Sequence, residues 1–300
     1  MKKLLIACMS LVAVFAAQAP ITFTPYTVDS ISEQESKSLE TYTIMWDLGG
    51  TLVDVNKMSF ASELGTFDAA MYVIFDAHFD KDRIQARLFQ TLELLGGTQQ
   101  GPEQFKCKHN GGYSLPNVMA LWLAGAFDEN PYAFIQELEE GIDLLYQEDF
   151  FISLREYRLI RKAVRAMFAP ETLACYQTLI KPMYKLLEKI NHTKHTCMIL
   201  SNWDAASFKI FIHSPCGQKL TRYIDEKNIV ISGDIGLNKP HPSFFDYVMY
   251  TYRLNPEKCI FIDNDSANCA TAQECGLHTI HFTGNVKQVE QQLKKYNILN

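Results

Sequence analysis

The chain has no C-x-x-C pair among its eight cysteines, so the spacing on which most zinc sites are built is missing. It has no long block of lysine or arginine and carries a formal net charge of -6, so a nucleic-acid surface is not expected. Internal repeats are absent, which excludes a repeat array. What remains is 300 residues with 47% hydrophobic content, enough to bury a sizeable core in one or two domains and too apolar for a disordered protein.

The stretch Thr43-Ile44-Met45-Trp46-Asp47-Leu48-Gly49-Gly50-Thr51-Leu52 is an apolar run ending in one carboxylate and a glycine pair. That pattern predicts a buried strand whose carboxyl end presents a single charge at a tight turn. Open α/β sheets place their chemistry at such ends. Further apolar runs follow at Thr196 to Ser201, Asn228 to Ser232, Cys259 to Ile262 and Leu277 to Phe282. Helical patterns separate them, at Met183 to Ile190, Ser243 to Tyr252 with Pro242 in its first turn, the stretch before Gly276, and Val289 to Tyr296. Alternation of this kind predicts an α/β fold with a doubly wound parallel sheet.

The string WDLGGTL resembles the first signature of the haloacid dehalogenase (HAD) superfamily, usually D-x-D-G-T-L or V; Gly49 stands where that family has its second aspartate. Ser201-Asn202, Lys239-Pro240 and Asp263-Asn264-Asp265-Ser266-Ala267-Asn268 match the later signatures in the family's order. The resemblance implies that Asp47 attacks phosphorus, forming an aspartyl-phosphate. Lys239 would neutralise the transferring group, while Ser201, Asn202, Gly50 and Thr51 would bind substrate. It also implies Mg²⁺ held by oxygen donors from Asp47, the Gly49 carbonyl, Asp263, Asn264 and Asp265.

Between the first strand and Phe168 the pattern is helical, with Ile84, Leu88, Leu92 and Leu95 on one face and Phe134, Leu138, Ile142 and Leu145 on another. A Gly-rich loop from Gly96 to Gly112 holds Lys106, Lys108 and His109. The position of these helices resembles the cap of HAD subfamily I. The expected organisation is therefore a core of 41-56 and 169-300 around a helical cap of 57-168. A basic stripe on Leu154 to Phe168, with Arg155, Arg158, Arg161, Lys162 and Arg165, is either a solvated face or a guide for phosphate.

Met1-Lys2-Lys3, the apolar Leu4 to Ala16 and Ala17-Gln18-Ala19 have the three regions of a signal peptide, so residues 1-19 predict export, with a membrane anchor or a cytoplasmic protein as alternatives. Residues 20-40 are polar and read as a linker. Cys197 and Cys259 fall in core strands, whereas Cys107, Cys175, Cys216, Cys269 and Cys275 are disulfide candidates in an exported protein.

The function expected from these features is Mg²⁺-dependent hydrolysis of a small phosphorylated metabolite. The partner is that metabolite, without nucleic acid and without membrane beyond an N-terminal anchor. Gly49 keeps open a non-catalytic module that binds a phosphate ligand or a protein. A hydrolytic dehalogenase is the third reading, opposed by Gly49 and by Asp263 with Asp265, since that group carries a bulky aromatic and serines at those places.

Overall fold

The computed structural model describes residues 41-56, 59, 62, 64, 65, 81-96 and 115-299. The segments expected to be a signal peptide and a linker, with Cys107 and the loop residues Lys106, Lys108 and His109, lie outside the described residues. The strands are β1 (Thr43–Trp46), β2 (Val53–Val55), β3 (Gln177–Leu179), β4 (Thr196–Ser201), β5 (Ile229–Ile231), β6 (Cys259–Asp263) and β7 (His278–His281). Five of them form a sheet in the order β5-β4-β1-β6-β7, every pair parallel. The fold is the expected doubly wound α/β one.

Strand β1 lies at the centre because it is apolar on both faces: Ile44, Met45 and Trp46 are all fully buried. Its residues alternate between two cores. Ile44 and Trp46 pack with Ile199, Ile262, Met183, Leu187 and Leu293 on one face. Met45 packs with Met198, Phe261, Phe244 and Phe245 on the other. From β1 the chain builds β4 and β5 on one side, then β6 and β7 on the other, so the order reverses beside β1. A crevice forms at the carboxyl ends of such strands.

Sequence reading missed β2 and β3, an antiparallel ribbon of three residues each joined by Val53↔Leu179, Asp54↔Thr178 and Val55↔Gln177. Strands this short carry no periodic signal, and their pairing spans 124 residues between Thr178 and Asp54. Between them run helices Lys81–Leu95, Asn117–Leu123, Pro131–Gln147, Leu154–Phe168 and Pro170–Cys175. Both predicted stripes face inward here: Leu92, Leu95, Phe134, Leu138, Ile142 and Leu145 share one apolar core with Trp122 and Phe168.

This helical unit carries a buried ion pair. Glu156 is fully buried and accepts from Arg87 Nε at 3.1 Å, from Arg87 Nη2 at 3.2 Å and from the Ile152 N–H at 2.8 Å. Ser153 caps the same helix through the Glu156 N–H at 3.0 Å. The basic stripe is partly spent inside the unit, with Arg161 on Glu139 and Asp143, each at 3.2 Å, and Arg165 on Glu139 at 3.2 Å.

Polar contacts join the unit to the sheet. Asn238 Nδ2 donates to the Ala120 carbonyl at 2.7 Å, Ser232 Oγ to the Leu123 carbonyl at 2.5 Å, and the Ala205 N–H to Asp128 Oδ2 at 3.0 Å. Gly125 permits the approach, because a Cβ there would stand 2.2 Å from the Gly233 carbonyl oxygen. All six described cysteines, including the disulfide candidates Cys175, Cys216, Cys269 and Cys275, are free. Among the described residues no helix is long and apolar enough to cross a membrane.

Candidate active site

Asp47 follows β1 directly, anchored by its N–H to the Ile262 carbonyl at 2.8 Å. The turn behind it is tight: the N–H groups of Thr51, Leu52 and Val53 all point to the Leu48 carbonyl. Gly50 sits at φ +78 with the Asn264 side chain so close that a Cβ would lie 2.6 Å from Nδ2. Both the backbone angle and the contact therefore demand glycine.

Lys239 is the hub of the site and is buried, with 1% exposure. Its three ammonium hydrogens are matched by three acceptors: Asp47 Oδ1 at 2.7 Å, Asp263 Oδ2 at 2.9 Å and the Leu200 carbonyl at 2.7 Å. These acceptors come from the ends of β1, β6 and β4. Burial alone would lower the ammonium's pKa, but Asp263 and Asp47 more than offset it and hold it above its ordinary value. One positive charge is shared by two carboxylates. Burial, with Asp263 adding its negative charge, pushes Asp47 up to about 7 against the opposing pull of Lys239.

Asp263 is held by three donors. Beyond Lys239, its Oδ2 accepts from Asn268 Nδ2 at 2.9 Å and its Oδ1 from the Asp265 N–H at 2.7 Å. Asp47 differs, since its Oδ2 is buried without a hydrogen-bond partner. A buried, unpartnered carboxylate oxygen carries the full cost of lost hydration, so it marks a place where a ligand is wanted.

The residues beside the triad are tied into the fold. The Gly50 N–H donates to the Val53 carbonyl at 2.7 Å and the Thr51 N–H to the Leu48 carbonyl, so both amides close the turn. Thr51 is fully buried, with its hydroxyl 3.3 Å from Asn264 Oδ1, and it ties the first signature to the fourth. The Asn202 side chain clamps Lys239: its Oδ1 accepts the Lys239 N–H at 2.8 Å and its Nδ2 donates to the Lys239 carbonyl at 2.7 Å. Asp265 caps helix Ser266–Glu274 through the Ala267 N–H at 2.9 Å, while Asp263 Oδ1 accepts one hydrogen bond, from the Asp265 N–H. Ser201 ends β4 as expected, 2% exposed. Asp54, the next acid in sequence after Asp47, is exposed, and its Oδ1 accepts the Val55 N–H at 2.8 Å. Asn268 was quoted in the motif but given no task, and its contact with Asp263 supplies one.

Among the described residues no group of three or more His, Cys, Asp and Glu side chains is placed to hold a metal. The oxygen donors offered at this edge are the carboxylates of Asp47, Asp263 and Asp265, the Gly49 carbonyl and the Asn264 side-chain oxygen. They fit Mg²⁺ in kind, because that ion takes hard oxygen ligands, often one or two carboxylates with water and substrate phosphate completing the shell. Gly49 leaves an opening beside them, since a Cβ there would meet nothing within 4 Å.

No family model matches the chain. Bifunctional epoxide hydrolase 2 of Rattus norvegicus is 28% identical over 85 residues, covering 28% of this chain and 15% of the relative. The Mus musculus protein of that name is 24% identical over 102 residues, 33% of this chain and 18% of the relative. The matched stretch thus spans less than a fifth of either relative. Similar solved structures include a HAD-family enzyme of Bacteroides thetaiotaomicron in complex with magnesium and inorganic phosphate, at 18% identity and TM-score 0.49, covering 82% of this chain and 96% of that one. Another is L-2-haloacid dehalogenase of Xanthobacter autotrophicus, at 14% identity and TM-score 0.41, covering 87% of this chain and 85% of that one. Asp47, Ser201, Lys239 and Asp263, apart in sequence, end neighbouring strands or follow them at one edge of the sheet, and a HAD-family enzyme is among the solved structures to which the chain is similar.

Proposed function

We propose that the chain is a hydrolase of small phosphomonoesters that works through an aspartyl-phosphate on Asp47. The observation that supports it best is the split state of that carboxylate: Oδ1 is held by Lys239 at 2.7 Å, while Oδ2 is buried and unpartnered. Lys239 orients Asp47 through Oδ1, leaving Oδ2 as the attacking atom. In the first step the bond from Oδ2 to phosphorus forms as the ester oxygen departs. Water then opens the acyl-phosphate, returning the carboxylate and releasing phosphate. Mg²⁺, held by Asp47, the Gly49 carbonyl and Asn264, would offset the negative charge that otherwise keeps phosphate and carboxylate apart.

A family member with aspartate in place of Gly49 would protonate the leaving oxygen there. This chain has no side chain at that place, so the reading favours substrates whose leaving group needs little protonation. The test is phosphate release by the purified protein from a phosphate-ester panel, with and without Mg²⁺. Release that needs Mg²⁺ and disappears in Asp47→Asn supports the reading; release unchanged by both sinks it.

The opening at Gly49 also favours a second reading, a module that binds phosphate ligands without turnover. Saturable binding of phosphate esters with no release in any assay would decide for it. Export rests on the N-terminal segment alone, and fractionation of expressing cells tests it; full-length protein found only in the cytoplasm counts against it.

A further inference from the structure

The sheet has a second concave edge, opposite the one that carries Asp47. At the amino-terminal end of β4 a cavity of about 540 Å³ opens between helices Lys181–Asn191 and Val286–Lys295. Its walls include Lys189, Thr193, Lys194, His195, Lys294 and Asn297. The lining holds three lysines against one carboxylate, Glu290, which is taken by Lys189 at 2.9 Å. Lys194 and Lys294 are exposed and share the lining with that single carboxylate, so its charge balance stays positive. In a protein of net charge -6, such a pocket is a local reversal of sign.

His195 adds a directed donor. It is 8% exposed, and its Nδ1 accepts the Tyr42 N–H at 3.1 Å, so the ring proton belongs on Nε2. Burial, with Lys194 beside it, holds its pKa below the ordinary value, which keeps the ring a neutral donor. The volume lies in the range of small-molecule sites. Compact ammonium charges suit phosphate groups, which need no planar fork.

We propose that this cavity binds a small anionic ligand carrying one or two phosphate groups. The site is separate from Asp47: β4 has six residues, which at ~3.3 Å each put its two ends about 20 Å apart. The phosphatase reading can fail without affecting it.

The experiment is a lysine-acetylation footprint of the full chain, read by mass spectrometry, with inorganic pyrophosphate as the probe. Pyrophosphate should slow acetylation of Lys194 and Lys294 several-fold and leave the exposed Lys219 and Lys287 unchanged. Lys194→Gln should then remove the protection of Lys294. Unchanged rates at Lys194 and Lys294, or equal slowing at every lysine, overturn the proposal. Protection by phosphatidic-acid vesicles without protection by pyrophosphate also overturns it, in favour of a lipid headgroup. Slow rates before any anion is added, relieved by Glu33→Lys with Glu35→Lys, would assign the pocket to the chain's own acidic stretch and overturn it too.

Discussion

Lys239 Nζ lies 2.7 Å from Asp47 Oδ1 across 192 residues of sequence, and the same nitrogen reaches Asp263 Oδ2 at 2.9 Å. Removing the ammonium leaves two buried carboxylates facing each other. Lys239→Met should therefore lower stability by about 3–5 kcal/mol, the usual cost of breaking a buried pair from one side. Urea unfolding of the variant measures it, and a loss below about 1 kcal/mol, the ceiling for exposed pairs, would mean that the triad is solvated.

The adjacent glycines should respond in opposite ways. Gly49→Asp puts a carboxylate into open space and should fold like the parent. If the missing acid-base limits the rate, it should raise turnover by about 10²–10⁴, the usual contribution of such a group. Gly50→Ala meets both a positive φ and the Asn264 amide, so thermal melting should show clear destabilisation. Equal melting temperatures for the two variants would contradict the turn geometry.

Asn202 acts on Lys239 through the backbone. Asn202→Ala deletes two hydrogen bonds and should cost about 1–3 kcal/mol, given about 1 kcal/mol for each. Turnover should fall with little change in KM, since the residue positions the lysine and does not hold the substrate. A rise in KM alone would return Asn202 to the substrate-binding role that its sequence position suggests.

Within the helical unit, Glu156→Ala takes the counter-charge from Arg87, which keeps only the neutral acceptors Gln90 Oε1 and the Phe150 carbonyl, and removes the partner of the Ile152 N–H. A loss of about 3–5 kcal/mol is expected for that unit. Hydrogen exchange should locate the change in helices Lys81–Leu95 and Leu154–Phe168, and exchange that rises first in the five-stranded sheet would refute it.

Asp204 supplies a pH dependence. It caps helix Ala205–His213 through the Ser207 N–H, and burial pushes its pKa up from 3.8 to about 6. A raised folded-state value means that the native state binds the proton more tightly than the unfolded chain does. The resulting stability is fully present below about pH 3.8 and is lost as pH rises through about 6. Asp204→Asn keeps a capping oxygen and should flatten the stability profile between those values. An unchanged slope in chemical denaturation across that window would rule this out.

The sheet was legible because its strands are continuous apolar runs ending in a charge, a hydroxyl or glycine, and the same runs brought Asp47 and Lys239 to one edge. What each neighbouring side chain does there was not legible. Asn202, Thr51 and Asp265 are polar residues next to signature positions, and sequence cannot tell a group aimed at a ligand from one that fixes a turn, a helix end or a lysine backbone. Capping was the likelier physical default for Asp265, two residues ahead of the Ala267 N–H that it accepts. The ribbon of β2 and β3 escaped because neither half is long enough to show alternation.

That ribbon gathers the two ends of the helical lobe at one stem. The chain departs at Val55 and comes back at Gln177 as paired neighbours. A second seam, from Asn238 to the Ala120 carbonyl and from Ser232 to the Leu123 carbonyl, fastens the lobe next to Lys239, so a lobe exchanged at the stem would have to rebuild that seam as well.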